Sequence, residues 1–372
     1  MASPIAILCA SGSSSSSPLL WLNQIWGLHF AWRAYAAAVT AALETLMLAF
    51  TGENALAVPA RAMFVGAQAH PALAAWPNLC GWQPLKPLAT AWEHAGLARV
   101  EQPAGRFPMV LVLPGKSRDE TLGWFGLARE LLEPGGRLLA AMPNTAGAAR
   151  FEKLLANACG NITSLQKHKC RAFHALEDGQ WDEEVFAGWR ELGRRRLIPN
   201  THFAVVPGIF SVDHIDPGSA LLAARLPETL RGNVADLGAG WGFLSDTLLR
   251  RCPKIARIDL FEADSRALDC ARANLAGQAR EIHFHWHDVC TGVPGGYDAI
   301  VMNPPFHTGQ ATDVDLGRAF LKSAAAALKP GGKLFLVANR QLAYEAALEA
   351  AGLVWHNAGE DPTYKLLFAQ RR

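Results

Sequence analysis

Short apolar runs alternate with amphipathic stretches through residues 200–372. We predict buried strands where an apolar run is bounded by polar or turn residues, and helices where apolar positions recur every three to four residues. The repeated order strand, helix, strand predicts an α/β fold with a mostly parallel sheet. The predicted strands are 234–237, 258–261, 282–286 and 297–302, and the first predicted helices are 243–251 and 265–275, with Ser265 as N-cap of the second.

The first half repeats this pattern in a weaker form. The run 131–144 resembles residues 327–339, which indicates an internal duplication of one α/β unit. The first-half loop 64–71 lacks the spaced glycines of its counterpart. We therefore predict two tandem domains, the first of them degenerate, with a disordered lead at 1–17, the degenerate domain at 18–190 and the domain that carries chemistry at 198–372.

Candidate ligand-binding residues follow three successive predicted strands. Asp236 leads into the glycine-rich turn Gly238-Ala239-Gly240-Trp241-Gly242, where the backbone can approach a ligand closely. Glu262 ends the next strand, at the spacing where a carboxylate meets a ribose diol. Asp288 follows the third strand and can accept from an adenine amino group. Taken alone, Glu262, Asp264 and Asp288 could each equally well be a solvated strand end, but the order of the acids on successive strands favours a nucleotide site.

The fourth strand ends in Asn303-Pro304-Pro305-Phe306. Two prolines cannot continue a strand, so the chain leaves the sheet at its carboxyl edge, where open α/β sheets bind ligands. The oxygen of Asn303 and the carbonyl of Pro304 can accept from an exocyclic amine while Phe306 stacks on a flat base. The alternative is a proline-rich turn that caps a strand, with Phe306 in the core.

Two other phosphate-binding loops are excluded. The glycine spacing is G-x-G-x-G and therefore differs from the G-x-G-x-x-G of dinucleotide-binding proteins. Gly115-Lys116-Ser117 looks like the end of a P-loop, but Val110 stands where a glycine is required.

Composition narrows the choice of partners and compartment. The net charge of the 372 residues is only +2, so any RNA contact must come from local patches of positive charge. The candidates for such contacts are Lys116, Arg194, Arg195 and Arg196. The alternative is that these residues are solvated surface charges without a partner. The seven cysteines form no C-x-x-C pair, so we expect no metal, no disulfide framework and a reducing compartment. The apolar segment 18–48 is interrupted by charges, so we expect an amphipathic helix packed on the first domain and no membrane helix or signal peptide.

These motifs together resemble the class I S-adenosylmethionine-dependent methyltransferases. The segment Asp236–Gly242 is similar to their first motif, Glu262 to their ribose-binding acid, Asp288 to their adenine-site acid, and Asn303–Phe306 to the catalytic turn of those that methylate amino groups in planar systems. His307-Thr308-Gly309 and the segment 328–340 look like the bacterial ribosomal RNA guanine-N2 methyltransferases of the small-subunit and large-subunit types. The resemblance covers roughly residues 200–370 and includes the lead-in segments 207–211 and 216–219.

The resemblance implies two tandem Rossmann-like methyltransferase domains, S-adenosylmethionine as cofactor, and methyl transfer to the N2 amine of a guanine in ribosomal RNA. A cytoplasmic monomer that acts on ribosomal RNA or a ribosomal subunit is expected. Two alternatives stay open at this point. One is another acceptor at the same turn, adenine N6 or a protein glutamine, and the other is a non-catalytic RNA-binding or assembly factor.

Overall fold

The computed structural model of the chain describes residues 41–305, 307–308, 311–312 and 314–372. The predicted disordered lead and most of the predicted helix at 18–48 lie outside these residues. Residues 41–47 are helical, and Leu43 and Leu46 are fully buried in the first domain. Within the described part, none of the helices has both the length and the apolar character required to cross a membrane.

The first domain is built on a seven-stranded sheet. Its strands are β1 (Ala62–Val65), β2 (Leu79–Trp82), β3 (Ala98–Arg99), β4 (Phe107–Val112), β5 (Leu132–Pro143), β6 (Thr163–Lys167) and β7 (Cys170–Leu176). They lie in the order β3-β2-β1-β4-β5-β7-β6, with β7 antiparallel to β5 and β6. The α-helices are Lys86–His94, Arg118–Leu131, Ala148–Cys159 and Glu183–Leu192.

A two-stranded link of β8 (Arg196–Leu197) and β9 (Ala204–Val205) leads to the second sheet. The remaining strands are β10 (Arg231–Leu237), β11 (Lys254–Glu262), β12 (Glu281–Trp286), β13 (Tyr297–Met302), the short pair β14 (His307–Thr308) and β15 (Ala311–Thr312), then β16 (Leu328–Asn339), β17 (Leu353–Glu360) and β18 (Tyr364–Arg371). The sheet order is β12-β11-β10-β13-β16-β18-β17. The α-helices are Pro217–Arg225, Phe243–Arg251, Ser265–Asn274, Val314–Ala327 and Glu345–Ala350.

The two sheets have the same topology strand for strand. In each, the last long parallel pair has a register shift at the same place, between Phe107 and Met109 in one copy and between Tyr297 and Ala299 in the other. The predicted pair of tandem Rossmann-like domains is therefore confirmed. One local prediction was wrong: Asp264, and not Ser265, is the N-cap of the helix Ser265–Asn274, because the Asp264 carboxylate accepts from the Arg266 amide.

Protein side chains fill the first-domain counterpart of the ligand loop. A Cβ at Gly66 would overlap the Leu113 carbonyl and the Trp124 ring. The Trp124 ring lies edge-on to Trp82, with the ring centroids 5.4 Å apart, and the Gln83 amide donates to the Ala67 carbonyl over 2.8 Å. This packing crowds the backbone at Gly66, which offers a physical reason for the degeneracy of the first domain.

The two domains meet through equivalent loops that follow β2 and β11. The Ser265 amide donates to the Pro84 carbonyl over 2.9 Å, and the Lys86 amide donates to the Ala263 carbonyl over 2.8 Å. The Trp286 indole also donates to the Pro84 carbonyl. These bonds place the first domain directly against the loop that follows Glu262.

Candidate active site

The carboxyl ends of four parallel strands bring the candidate residues together. Leu237 pairs with both Phe261 and Met302, so Gly238, Glu262 and Asn303 follow at adjacent positions along the sheet edge. A cavity of about 400 Å³ opens there. Its walls include eight of the predicted site residues: Gly238, Ala239, Gly240, Glu262, Asp288, Asn303, Pro304 and Pro305.

The glycine turn is shaped to leave space above its backbone. Gly238 and Gly240 have φ angles of +72° and +54°, which favour glycine because a Cβ is strained there. A Cβ at Gly240 would meet no protein atom within 4 Å. At Gly238 the nearest protein atom to an added Cβ would be a Phe320 ring carbon at 3.3 Å, whereas at the equivalent Gly66 an added Cβ would overlap the Leu113 oxygen, so the turn of the second domain is the more open of the two.

Glu262 is held by the turn that it faces. Its two carboxylate oxygens accept from the Gly240 amide over 2.7 Å and from the Asp264 amide over 2.9 Å. Burial raises the pKa of Glu262 to about 7, although these two hydrogen bonds oppose the shift. The carboxyl group is thereby positioned to accept hydrogen bonds from a diol.

Two of the predicted cofactor residues, Asp236 and Gly242, do not line the cavity. Asp236 is fully buried beneath the turn, where its carboxylate accepts from the Ser245 hydroxyl over 2.7 Å. Burial raises the pKa of Asp236 to about 7. Gly242 has a φ of +93° and caps the helix Phe243–Arg251. Both residues therefore shape the turn from outside the cavity.

Asp288 lies in the cavity wall, in the turn that follows β12. It caps a short 3-10 helix, Val289–Thr291, by accepting from the Cys290 amide over 2.9 Å. The neighbouring His287 ring lies 2.6 Å from the Gly292 carbonyl, which fixes its orientation. Asp288 is largely buried, and the hydrogen bond from the Cys290 amide orients its carboxylate.

The side-chain amide of Asn303 has a fixed orientation. Its nitrogen donates to the Asp216 carboxylate over 2.8 Å and to the Ser219 hydroxyl over 2.9 Å. Because a carboxylate only accepts, the nitrogen must face Asp216, and the amide oxygen remains to accept from a ligand. Asp216 is itself held as the N-cap of the helix Pro217–Arg225.

Sequence reasoning missed several contributors to the site. It placed residues 216–219 near the cofactor by resemblance but gave no role to Asp216 or Ser219. The same resemblance placed residues 207–211 near the cofactor without a role for Phe210, which lines the cavity with 58% of its surface exposed. Leu85, which the first domain supplies to the cavity wall, was missed. The acid followed by proline and a small polar residue is a helix-start signal that could have pointed to Asp216.

The predicted RNA-contact residues fall outside the cavity. Phe306 lies outside the described residues. Lys116 is exposed in the first domain, and Arg194, Arg195 and Arg196 are exposed in the link. Arg194 pairs with Glu191 at 2.9 Å, and Arg196 pairs with Asp119 and Asp213 at 3.0 and 3.1 Å. Arg195 contacts the Cys270 thiol.

The arrangement suits a ligand with a diol and a flat base, placed beside an amine acceptor. Glu262 supplies diol acceptors, Asp288 an acceptor near the base, and Asn303 an oxygen for an incoming amine. The cavity wall also includes the apolar side chains of Trp241, Leu316 and Phe320.

Comparison with known proteins adds independent findings. The family model of the methyltransferase small domain matches residues 200–367. Ribosomal RNA small subunit methyltransferase C of Pectobacterium atrosepticum is 30% identical over 271 residues, which span 73% of this chain and 76% of that protein. The protein of the same name from Yersinia enterocolitica is 31% identical over 237 residues, which span 63% and 67% of the two chains.

One solved structure is similar over nearly the whole chain. It is the T. thermophilus 16S rRNA N2 G1207 methyltransferase (RsmC) in complex with AdoMet and guanosine. The TM-score is 0.74 and the sequence identity 26%, with 89% of this chain and 92% of that chain covered. The likeness therefore extends through both domains.

Proposed function

The chain belongs to the ribosomal RNA small subunit methyltransferase C family, and from this premise we propose that it transfers a methyl group from S-adenosylmethionine to the exocyclic N2 amine of a guanine in 16S ribosomal RNA. One observation carries the proposal. The oriented amide of Asn303 opens onto the same cavity as the glycine turn, Glu262 and Asp288. A nucleoside site and an amine site thus share one space.

The residues of the cavity fit S-adenosylmethionine. Glu262 would accept from the ribose hydroxyls, Asp288 from the adenine amine, and the turn 238–240 would lie against the ligand where the open space at Gly240 permits it. When bound, S-adenosylmethionine supplies an already activated methyl group. The chain's own task is therefore to position the acceptor amine.

Asn303 and Pro304 would perform that task. A guanine amine is a weak nucleophile because its lone pair is delocalised into the ring. If the Asn303 oxygen and the Pro304 carbonyl accept its two N–H bonds, the lone pair is directed away from the turn in a near-attack arrangement. Asp216 and Ser219 keep the Asn303 oxygen, and not its nitrogen, turned to the amine.

The target base must leave its surroundings to reach this turn. Extrusion costs on the order of a few kcal/mol. Stacking on an aromatic ring returns about 1–3 kcal/mol. We propose Phe306, with Pro305 beside it, for this contact. Phe210, exposed at the cavity wall, is a second ring within reach of the same space.

The first domain and the link are proposed to contact RNA backbone through Lys116, Arg194, Arg195 and Arg196. Lys116 is a stronger candidate for this contact than Arg194 and Arg196, because acidic partners neutralise part of the charge of the two arginines. We further propose that the chain works as a cytoplasmic monomer on naked RNA or an assembled subunit, with no metal in the transfer step.

The test uses 16S ribosomal RNA from a strain that lacks this chain. The purified protein and labelled S-adenosylmethionine should place the label in N2-methylguanosine, as identified by nucleoside mass spectrometry. Label in N6-methyladenosine would instead identify adenine as the acceptor, and label in protein would identify a glutamine side chain. If calorimetry detects no cofactor binding at all, the chain is a non-catalytic RNA-binding factor and the proposal fails.

A further inference from the structure

A cluster of two histidines and an aspartate lies on the outer strands of the second sheet, apart from the cavity. His283 and His285 alternate along the edge strand β12 and therefore project from one face. Asp259 on β11 is paired with His283 in the sheet register. Each of the three offers one ligand atom, and these atoms all lie within 4.8 Å of one another.

The distances are close to those of a metal site. Asp259 Oδ1 is 3.2 Å from His283 Nδ1 and 3.9 Å from His285 Nε2. Four ligands at about 2.1 Å in a tetrahedral array around Zn²⁺ lie roughly 3.4 Å from one another. Side-chain movements of less than about 1 Å would bring the three atoms to such positions.

Two of the three ligand atoms are buried without a hydrogen bond. Asp259 is only 3% exposed, and its Oδ1 has no hydrogen-bond partner, although His283 Nδ1 lies nearby. His285 Nε2 is likewise buried and without a hydrogen bond. Leaving a buried polar atom unsatisfied costs about 1–3 kcal/mol, so a cation between these atoms would remove two such costs.

The outer atoms of the cluster are held by other residues. His283 Nε2 lies 2.9 Å from the Glu281 carboxylate, which is the contact that metal-binding histidines usually make through their second ring nitrogen. The His285 ring stacks on Phe261, with centroids 4.4 Å apart and planes 11° from parallel. With these contacts, His283 Nδ1 and His285 Nε2 lie 3.2 and 3.9 Å from Asp259 Oδ1.

The Asp259 carboxylate is fixed in the same way. Its Oδ2 accepts from the Tyr297 hydroxyl over 2.7 Å and lies 3.1 Å from the Arg257 guanidinium. These contacts occupy Oδ2 and leave Oδ1 directed to the histidines. The positive charge of Arg257 weakens cation binding, which points to a moderate affinity.

We propose that Asp259, His283 and His285 bind one divalent transition-metal cation of the Zn²⁺ class, with the fourth position open to water. Two imidazoles and one carboxylate form a donor set that such cations prefer. The ion would tie the edge strand β12 to β11 three residues before Glu262. It would take no part in methyl transfer, since none of its three ligands lines the cavity.

The proposal departs from the expectation that the chain binds no metal. That expectation rested on the absence of paired cysteines. The expectation did not consider a second signal. Two histidines stand at alternate positions of one strand, and a buried acid lies opposite them on the neighbouring strand.

Calorimetric titration of the full chain with Zn²⁺ after dialysis against chelator tests the site. One ion should bind, and His283→Ala and His285→Ala should each weaken binding at least tenfold. Both rings are partly exposed, so both variants should keep the wild-type circular dichroism spectrum. His356→Ala, a change on β17 where the ring packs on Phe368, is the matched control and should bind as wild type does.

Two further readouts separate this site from the cysteines. Zn²⁺ should raise the melting temperature of wild type and of His356→Ala, but not of the other two variants. A Co²⁺-loaded sample should lack a thiolate charge-transfer band. Failure of wild type to bind Zn²⁺, or equal affinity in His283→Ala, His285→Ala and wild type, would overturn the proposal.

Discussion

At the scale of single residues, the site is defined by groups whose surroundings fix one orientation or one charge state. Asn303 has its amide oriented by Asp216 and Ser219, and Glu262 has a pKa of about 7 because burial favours its neutral form. Asn303 and Glu262 could be chosen from the sequence, because a proline turn and a strand-end acid mark them. Asp216 could be chosen only as a helix N-cap, and its role at Asn303 could not be predicted, because the contact spans 87 residues.

The raised pKa of Glu262 predicts a pH-dependent cofactor affinity. In the free protein, the buried site favours the neutral form of Glu262. The contribution of this group to folding stability is therefore fully present below its ordinary pKa of 4.5 and is lost as the pH rises through about 7. Ribose hydroxyls donate to the ionised form and therefore favour it. For one such group, the affinity for S-adenosylmethionine should increase about tenfold from pH 6 to pH 8.

Calorimetry across this range checks the prediction. Glu262→Gln should bind more weakly at pH 8 and lose most of the pH dependence. Glu228→Gln, a change in an exposed glutamate away from the cavity, should keep the wild-type profile. A Glu262→Gln profile as steep as wild type would assign the dependence to another group.

At the scale of elements, the strand ends and the glycine turn form the proposed site. Four strands of the second sheet, β10 to β13, could be predicted within a few residues, because apolar runs and turn signals coincide there. Helix starts were less certain: Asp264 and Ser265 are both good N-caps, and only the contact of Asp264 with the Arg266 amide decides between them. The histidine pair of β12 was missed because its partner comes from another strand.

The glycine turn allows the effect of backbone strain to be measured separately from the effect of filling the ligand space. Gly240→Ala and Gly277→Ala both place a Cβ at positive φ, +54° and +85°, where no protein atom lies within 4 Å. Each should lose about 1–2 kcal/mol of unfolding free energy. Only Gly240 lines the cavity, so only Gly240→Ala should bind S-adenosylmethionine at least tenfold more weakly.

Denaturant unfolding and calorimetry of the two variants measure the two effects. Equal loss of cofactor affinity in both would mean that backbone strain, and not occupied space, controls binding.

At the scale of the whole molecule, the two copies of one fold have become interdependent. The duplication was visible in the sequence because its strands and turns recur. The crowding at the first-domain loop could not be predicted from the sequence, since it depends on how Trp82, Trp124 and Gln83 pack together. The interface could not be predicted either. There the first domain contributes Leu85 to the cavity wall and pairs Glu120 with Arg266 of the second domain.

The Glu120–Arg266 pair predicts a large interface contribution. Burial raises the pKa of Glu120, and the charge of Arg266, which also pairs with Asp264 at 2.7 Å, opposes that shift. Arg266→Ala leaves a buried acid without its cation, so it should lower the unfolding free energy by about 3–5 kcal/mol. Arg272→Ala, on the exposed face of the same helix, should cost at most about 1 kcal/mol.

Thermal and denaturant unfolding of both variants provide the measurement. Similar small losses in the two would show that the domains do not depend on this buried pair.

The most direct test of the account is the rate of methyl transfer to 16S ribosomal RNA by Asn303→Ala at saturating S-adenosylmethionine, with the cofactor affinity measured alongside. Loss of a positioning contact of this kind should lower the rate about 100-fold or more, while the dissociation constant of the cofactor stays within about twofold. Asn339→Ala, at the end of the neighbouring strand β16 and outside the cavity wall, should transfer at the wild-type rate. Equal rates for wild type and Asn303→Ala would contradict the account.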